Sequence, residues 1–464
     1  MTEPIKEESN STKAKQSTWG KIWKYFRRAV LWLLLLFFAL NVLILLFSQT
    51  HFFRSWVSDN LLSIVNESLN GEILVDDLVI NPFADIVVRG LQVRNDGDTL
   101  AYIDKILVDL SVWDLLSEKA NVNKIFIGDL KANLIMKEGD SLWNFQKLVP
   151  PSEDTTEAGE PPGWIIDLYN LQIANAEIKM INYNDPYKKT DSLDFETLHV
   201  NDFDLSLSAY AKLNENKFNV EIHQLSFREE FSGYEIEQLS LEAAIDTMQA
   251  KITNLKLQTP NTDFAINAHL KKVNFFGDNL DYELFHSPIE VSLEAEKIDM
   301  YEMKNIVPIP LLFSINPKLS FKASGHLDSI LIDDIDMEFN QSKIKLEGSF
   351  SGLYQGNNLV YDIIFKDTKI KDKDVQNLIP ELNLKSIPNF GKANLSGTHV
   401  IGSTDSAYAD LRVATGIGDV VGEAGIRWQP DFIYTADIRS DNLNLGALAL
   451  SGSLAGTVNT SLRV

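Results

Sequence analysis

The sequence has no cysteine, so it can form neither a disulfide bond nor a thiolate metal site. Its seven histidines are scattered, and no two of them have the H-x-x-x-H spacing of a zinc-binding helix. The G-x-S-x-G and G-K-[ST] motifs are also absent. Gly416-Ile417-Gly418 lies between two predicted strands, so we interpret it as a turn or a bulge rather than a phosphate-binding loop. We therefore predict no catalytic residue, no metal site and no cofactor, and an enzyme is the least favoured class.

Basic residues are scarce after residue 48, where 35 lysines and arginines stand against 62 aspartates and glutamates. Nucleic-acid binding depends on neutralising phosphates with basic side chains, and so does flat docking on an anionic lipid surface. The composition therefore argues against a nucleic-acid partner and against a body that lies on such a membrane.

Long hydrophobic runs are also few, and only residues 29–47, AVLWLLLLFFALNVLILLF, could span a bilayer. At about 1.5 Å per residue they form a helix of about 28 Å, close to the hydrocarbon thickness. A buried core helix is disfavoured because the run is apolar on every side. No A-x-A-like site follows it, which favours an uncleaved signal anchor over a cleaved signal peptide. Seven lysines and arginines precede the run and only Arg54 follows closely, so we expect residues 1–28 in the cytoplasm and the bulk of the chain across the membrane.

Residues 48–70 are predicted to form a membrane-proximal helix. Phe53, Val57, Leu61 and Leu69 recur at helical spacing, and Gly71 provides a stop signal.

From Gly71 onward the apolar period changes from 3.6 to 2, which predicts about 25 short strands and few helices. We predict a short helical turn at Val112–Glu118 and helical interruptions near Asp299–Ile306 and Lys373–Ile379. The absence of strand–helix alternation favours a mainly β, antiparallel fold. The alternating positions assigned to one apolar face are Ile73, Val75, Ile86, Val88, Leu91, Val93, Ile106, Val108, Leu110, Leu205, Leu207, Val220, Ile222, Leu239 and Leu241.

Residues 150–163, PPSEDTTEAGEPPG, contain four prolines, four acids and no large apolar side chain. A domain boundary and an exposed loop both fit this composition. We favour a loop inserted in a continuing sheet because alternation restarts at once. The loop would divide a β module at 71–149 from a repetitive β body at 164–464.

A sheet of about 25 strands would extend about 120 Å at about 4.8 Å per strand, so it must curl or split. Serial β-sandwiches, a closed barrel and a sheet folded lengthwise into a groove all satisfy the alternation. The period alone does not choose among them.

Several short motifs carry a family resemblance: Asn81-Pro82-Phe83, Leu100-Ala101-Tyr102-Ile103, Trp113–Leu116, Ile125–Ile127, Gly139–Asn144, Gly348-Ser349-Phe350 and Ser451-Gly452-Ser453-Leu454. With these motifs, the region 71–148 resembles the N-terminal module of the AsmA-like superfamily, and within it the TamB branch. The resemblance is strong up to residue 148 and loose beyond it. The family's C-terminal signature domain is missing, so we expect this chain to be the N-terminal part of a longer protein.

The resemblance implies a groove-like sheet (a "β-taco") on a periplasmic bridge anchored in the inner membrane, which carries phospholipid toward the outer membrane. It also implies an alternative, a scaffold for outer-membrane protein assembly with a barrel partner. Of these two hypotheses we favour the lipid conduit, because alternating apolar faces are what the sequence contains.

Overall fold

The computed structural model describes residues 50, 62–63, 66–80, 85–95, 97–111, 114, 119–148, 164–185, 193–277, 279–303, 315–353, 359–378, 388–448 and 456–463. The predicted tail at 1–28, the anchor at 29–47 and the loop at 150–163 lie outside these residues. Within the described ranges, no helix is long and apolar enough to cross a membrane. Of the predicted helix at 48–70, the described positions 62–63 and 66–67 are helical.

The protein is mainly β, and its described strands form one sheet of 23 strands. Their bounds are β1 Glu72–Leu74, β2 Asp77–Ile80, β3 Asp85–Asn95, β4 Asp98–Leu110, β5 Lys119–Met136, β6 Ile165–Asn182, β7 Thr197–Lys212, β8 Lys217–Glu229, β9 Glu235–Ile245, β10 Gln249–Gln258, β11 Asp263–Lys271, β12 Ile289–Lys297, β13 Lys318–His326, β14 Ser329–Phe339, β15 Ser342–Ser351, β16 Val360–Phe365, β17 Lys369–Lys371, β18 Lys392–Asn394, β19 His399–Ser403, β20 Ser406–Thr415, β21 Gly418–Arg427, β22 Ile433–Asn444 and β23 Thr457–Arg463.

Most strands that are consecutive in sequence are neighbours in the sheet, and nearly all pairs are antiparallel. Short strands share a position at three places: β1 and β2 both pair with β3, β16 and β17 both pair with β15, and β18 and β19 both pair with β20. One pair corrects the antiparallel prediction, because β5 and β6 are parallel over their whole length. The connection from residue 137 to 164 must therefore return the chain to the start of β5. A period of two is the same in both pairings, so the sequence pattern could not reveal this crossover.

Because successive strands from β6 onward are mostly antiparallel, their connections lie alternately at the two long edges of the sheet. We call the edge with the β6–β7, β8–β9 and β12–β13 connections the first rim. The edge with the β7–β8, β9–β10 and β11–β12 connections is the second rim. Of the turn or bulge predicted at Gly416-Ile417-Gly418, the structure has the turn, because Thr415 pairs with Gly418 across the β20–β21 hairpin.

The described helices after β1 are short and lie in the connections between strands. Their bounds are α1 Asn144–Leu148, α2 Leu280–His286, α3 Met300–Met303, α4 Asp372–Leu378 and α5 Leu445–Leu448. With at most seven residues each, they are too short to cover a face of the sheet. α3 and α4 confirm helical turns where the sequence predicts them, whereas α1, α2, α5 and a 3-10 turn at Leu213–Glu215 were not predicted. Of the turn predicted at 112–118, all but residue 114 lies outside the described residues.

The first edge of the sheet is closed by a side chain. Ile73 in β1 donates its N–H to Oδ1 of Asn66 (2.6 Å), and its carbonyl accepts a hydrogen bond from Nδ2 of Asn66 (3.1 Å). The amide of Asn66 thus pairs with the edge as a neighbouring strand would. This contact ties the helical turn at 66–67 to the sheet.

Candidate functional site: a continuous apolar face

One face of the sheet carries apolar side chains across almost its whole length. Residues directly opposite each other on paired strands share a face, so pairings can be followed from strand to strand. One such row runs from β4 to β22, roughly 75 Å along the sheet at about 4.8 Å per strand. It contains no polar side chain. Its members are Leu110, Val122, Leu168, Ala209, Val220, Ala243, Ile252, Ala268, Val291, Ala323, Ile332, Gly348, Ile363, Val400, Ala409, Ala424 and Ala436.

The residues assigned to the apolar face from sequence fall in this row and the rows beside it. Val75 is the exception, because it follows the end of β1 and has no strand partner. A second row joins Ile86, Val108, Ile125, Leu171, Leu207, Ile222 and Leu241. A third joins Val88, Ile106, Ile127, Ile173, Leu205, Leu225 and Leu239. The remaining predicted positions pair as Ile73 with Val93 and Leu91 with Ile103.

The apolar positions of many strands jump by three residues at one point, and the structure explains the jump. In β6, Ile173 and Ala176 pair with β7 residues only two apart, Leu205 and Phe203. In β10, Ile252 and Leu255 likewise pair with Ala268 and Ile266. Each jump is therefore a β-bulge, where one extra residue is accommodated and the apolar side chains stay on the same face.

A left-handed residue marks several of these bulges. Examples are Asn175 (φ +55°) and Asn254 (φ +50°), and after glycine, asparagine is among the residues that tolerate this conformation best. Side chains on the neighbouring strand bind the displaced backbone. The N–H of Asn175 donates to Oδ1 of Asp204 (2.9 Å), and that of Asn254 donates to Oδ1 of Asn267 (2.9 Å).

The unbroken strands correct the divisions that alternation predicts. The apolar alternation of the sequence stops between 86–88 and 91–93, which predicts two strands, but both segments belong to β3. It likewise stops within β5 and within β6, each of which runs unbroken for 18 residues. The sequence signal that could have shown this is a three-residue apolar spacing with Gly, Asn or Asp in the gap.

The opposite face is polar and charged. Glu221 lies directly opposite Glu242, and Asp410, Glu423 and Asp437 follow one another across three strands. Ion pairs neutralise other parts of this face, and the hydrogen bonds that Lys343 donates to Glu338 and Asp336 raise the pKa of its ammonium group.

Depressions in the polar face are lined by charged groups. One of them has a volume of about 630 Å³, and its lining includes Lys256, Asp263, Glu294 and Lys318. The described residues contain no group of three or more side chains suited to hold a metal ion.

The apolar face is only partly covered by protein. Most side chains in its rows are half-buried rather than buried. Toward β22 the face opens further, since Ile426 and Tyr434, which lie opposite each other, are 38 % and 60 % exposed. An apolar surface of this length that stays half in contact with water is a candidate binding surface.

Comparisons with protein-family models, curated proteins and solved structures gave no match to this chain.

Proposed function

We propose that this chain is a lipid conduit, in which the acyl chains of phospholipids lie against the apolar face and the headgroups stay in water. The observation that supports it is the row from Leu110 to Ala436, which is uncharged in every strand that it crosses. Hydrophobic contact is non-directional and is worth about 25 cal/mol per Å² of apolar area removed from water. A uniform apolar row therefore provides many nearly equivalent sites, between which a hydrocarbon chain can slide.

The conduit requires the sheet to curve lengthwise into a groove, and the bulges supply a physical reason for it. A bulge bends its strand and increases the local twist. We propose that bulges in β6, β7 and β10, whose left-handed residues are Asn175, Asp202 and Asn254, produce this curvature.

The location that we propose follows from the sequence. A signal anchor at 29–47 would hold the N-terminus in the inner membrane, and the sheet would extend through the periplasm toward the outer membrane. This arrangement agrees with the resemblance to the AsmA-like superfamily and its TamB branch.

Photo-crosslinking in cells tests the proposal. A photoreactive residue replaces Leu205, Ile222 or Leu241 on the apolar face, and Glu221 or Glu242 on the polar face as matched controls. Asp204 is unsuitable as a control, because its carboxylate holds the Asn175 bulge. We expect phospholipid adducts, identified by mass, at the three apolar positions and none at the controls.

Absence of lipid from both faces would contradict the conduit and favour the scaffold for outer-membrane protein assembly. A second variant separates the two further. Leu205→Asp with Ile222→Asp introduces charge on the apolar face and should abolish lipid adducts at Leu241, whereas a scaffold that contacts its partner elsewhere should be indifferent to it.

A further inference from the structure

The apolar face is closed by protein near the first rim over β8 to β13. Three first-rim connections contribute side chains there: Leu193 before β7, Tyr234 between β8 and β9, and Ile298, Met300 and Met303 after β12. They pack on the ends of the strands and bury the apolar residues beneath. Leu257, Phe264 and Ala295 retain at most 6 % of their exposed area.

The second rim is also covered at this level, by the β11–β12 connection. Val273 in this connection is 0 % exposed, and its N–H donates to the carbonyl of Met248 in the β9–β10 turn (3.2 Å). The ring of Phe276 lies 5.4 Å from the ring of Phe218, which belongs to the apolar face at the start of β8. The β11–β12 connection therefore folds onto the apolar face from the second rim, opposite the first-rim connections that bury Leu257, Phe264 and Ala295.

A central strip remains between these two covered zones. It consists of Val220, Ala243, Ile252, Ala268 and Val291, which lie side by side in β8 to β12. All five are half-buried. We call this strip the corridor.

The chemistry of the corridor favours hydrocarbon over a protein partner. It carries no charged or hydrogen-bonding side chain, and the strands on both sides of it satisfy the backbone groups of β9 to β11. A folded partner would find no directional contact here, whereas an acyl chain needs none. Flanking rows lie about 7 Å away on either side, two residues along each strand, so the strip is narrow.

We infer that hydrocarbon cargo passes β10 to β12 only along this corridor, because the zones on both sides of it are occupied there by the protein's own side chains. Ile222 and Leu241, beside the corridor in β8 and β9, are not part of the packed zone and stay open to cargo. The inference rests on the proposed lipid conduit. It adds that the path is not the whole width of the sheet at this level, and that Ala243 and Ala268 set its depth.

Matched positions on the same strands test the corridor in the full-length chain in cells. A photoreactive residue replaces Ile252 or Val291 in the corridor, and Leu257 or Ala295 in the covered zone of the same strands, β10 and β12. We expect phospholipid adducts at the two corridor positions and at least tenfold fewer at the two covered ones.

Each other outcome has a distinct meaning. Equal adducts at all four positions would overturn the corridor and leave the conduit standing. No adduct at any of them, together with none at Leu205 and Leu241, would reject the conduit itself. Adducts only at the covered positions would also overturn the corridor.

A narrowing variant provides a second test. Ala268→Phe fills the corridor, and Ala265→Phe places the same bulk on the polar face of the same strand as the control. With photoreactive residues at Leu205 and Ile363, on the two sides of the corridor, we expect Ala268→Phe to change the ratio of their lipid adducts at least fivefold. An unchanged ratio in a variant that retains the wild-type β-sheet circular dichroism would overturn the inference.

Discussion

Glu229 has a buried carboxylate whose hydrogen bonds stabilise the β8–β9 turn. It is 1 % exposed and accepts hydrogen bonds from the backbone N–H groups of His199, Phe231 and Ser232 and from the Ser232 hydroxyl. Burial alone raises the pKa of this carboxyl, but the hydrogen bonds that it accepts outweigh burial and hold the pKa below its ordinary value of 4.5.

We therefore expect Glu229→Gln to loosen the β8–β9 turn. Hydrogen bonds to a charged group contribute about 1.5–3 kcal/mol each, so losing one should speed exchange of the Ser232 amide more than about tenfold at pH 7. Because the folded pKa is lowered, the stabilisation is fully present above pH 4.5 and disappears as the pH falls through the lowered value. Hydrogen exchange from pH 7 downward, corrected for intrinsic rates, should show the two proteins converging in acid. A constant gap would contradict this assignment.

Asn254 shows how a single backbone conformation keeps the apolar face continuous. Its φ of +50° is rare for residues other than glycine and asparagine, and is least accessible to β-branched ones. We expect Asn254→Val to destabilise β10 by about 1–2 kcal/mol, whereas Asn254→Gly avoids this strain. Hydrogen exchange of the Ile252 and Leu255 amides measures the difference. Equal protection in both variants would mean that the bulge does not depend on the left-handed residue.

At the scale of one element, two hydrogen bonds between the Asn66 side chain and the backbone of Ile73 hold the helical turn at 66–67 to β1. Asn66→Asp retains an acceptor for the Ile73 N–H but has no donor for the Ile73 carbonyl. We expect faster exchange of the β1 amides and unchanged exchange in β6 and β7. Asn66→Leu should give the larger effect because both bonds are lost. If neither variant alters β1, the helical turn is held there by other contacts.

The elements also show which features could be read from sequence. Alternation gave the mainly β class and the members of the apolar face, because period 2 reports directly on which side chains share a side. A break in alternation is ambiguous, since both a turn and a bulge produce it. Only the register of the neighbouring strand distinguishes them, as at Ile173 and Ala176 beside Leu205 and Phe203. That register is a long-range property, and so are the parallel β5–β6 pair and the connections that cover the face over β8 to β13.

At the scale of the whole molecule, the sheet is close to one-dimensional, because each described strand is hydrogen-bonded only to strands next to it. In such a structure, stability is a sum over neighbouring units, and damage should stay local. Ile127 in β5 pairs with Ile106 in β4 and with Ile173 in β6, so Ile127→Ala removes contacts on both sides.

Core Ile→Ala changes cost about 2–5 kcal/mol, and we expect about half of that here because Ile127 is only half-buried. Amides in β4 to β6 should therefore exchange about tenfold faster or more, and those in β20 to β22 should not change. Ala424→Gly in β21 is the matched variant, with the reverse pattern expected. Uniform acceleration along the chain would show that the sheet unfolds as one cooperative unit. Local acceleration would mean that a defect in one segment leaves the register of the apolar rows elsewhere intact, as a conduit assembled from many equivalent sites requires.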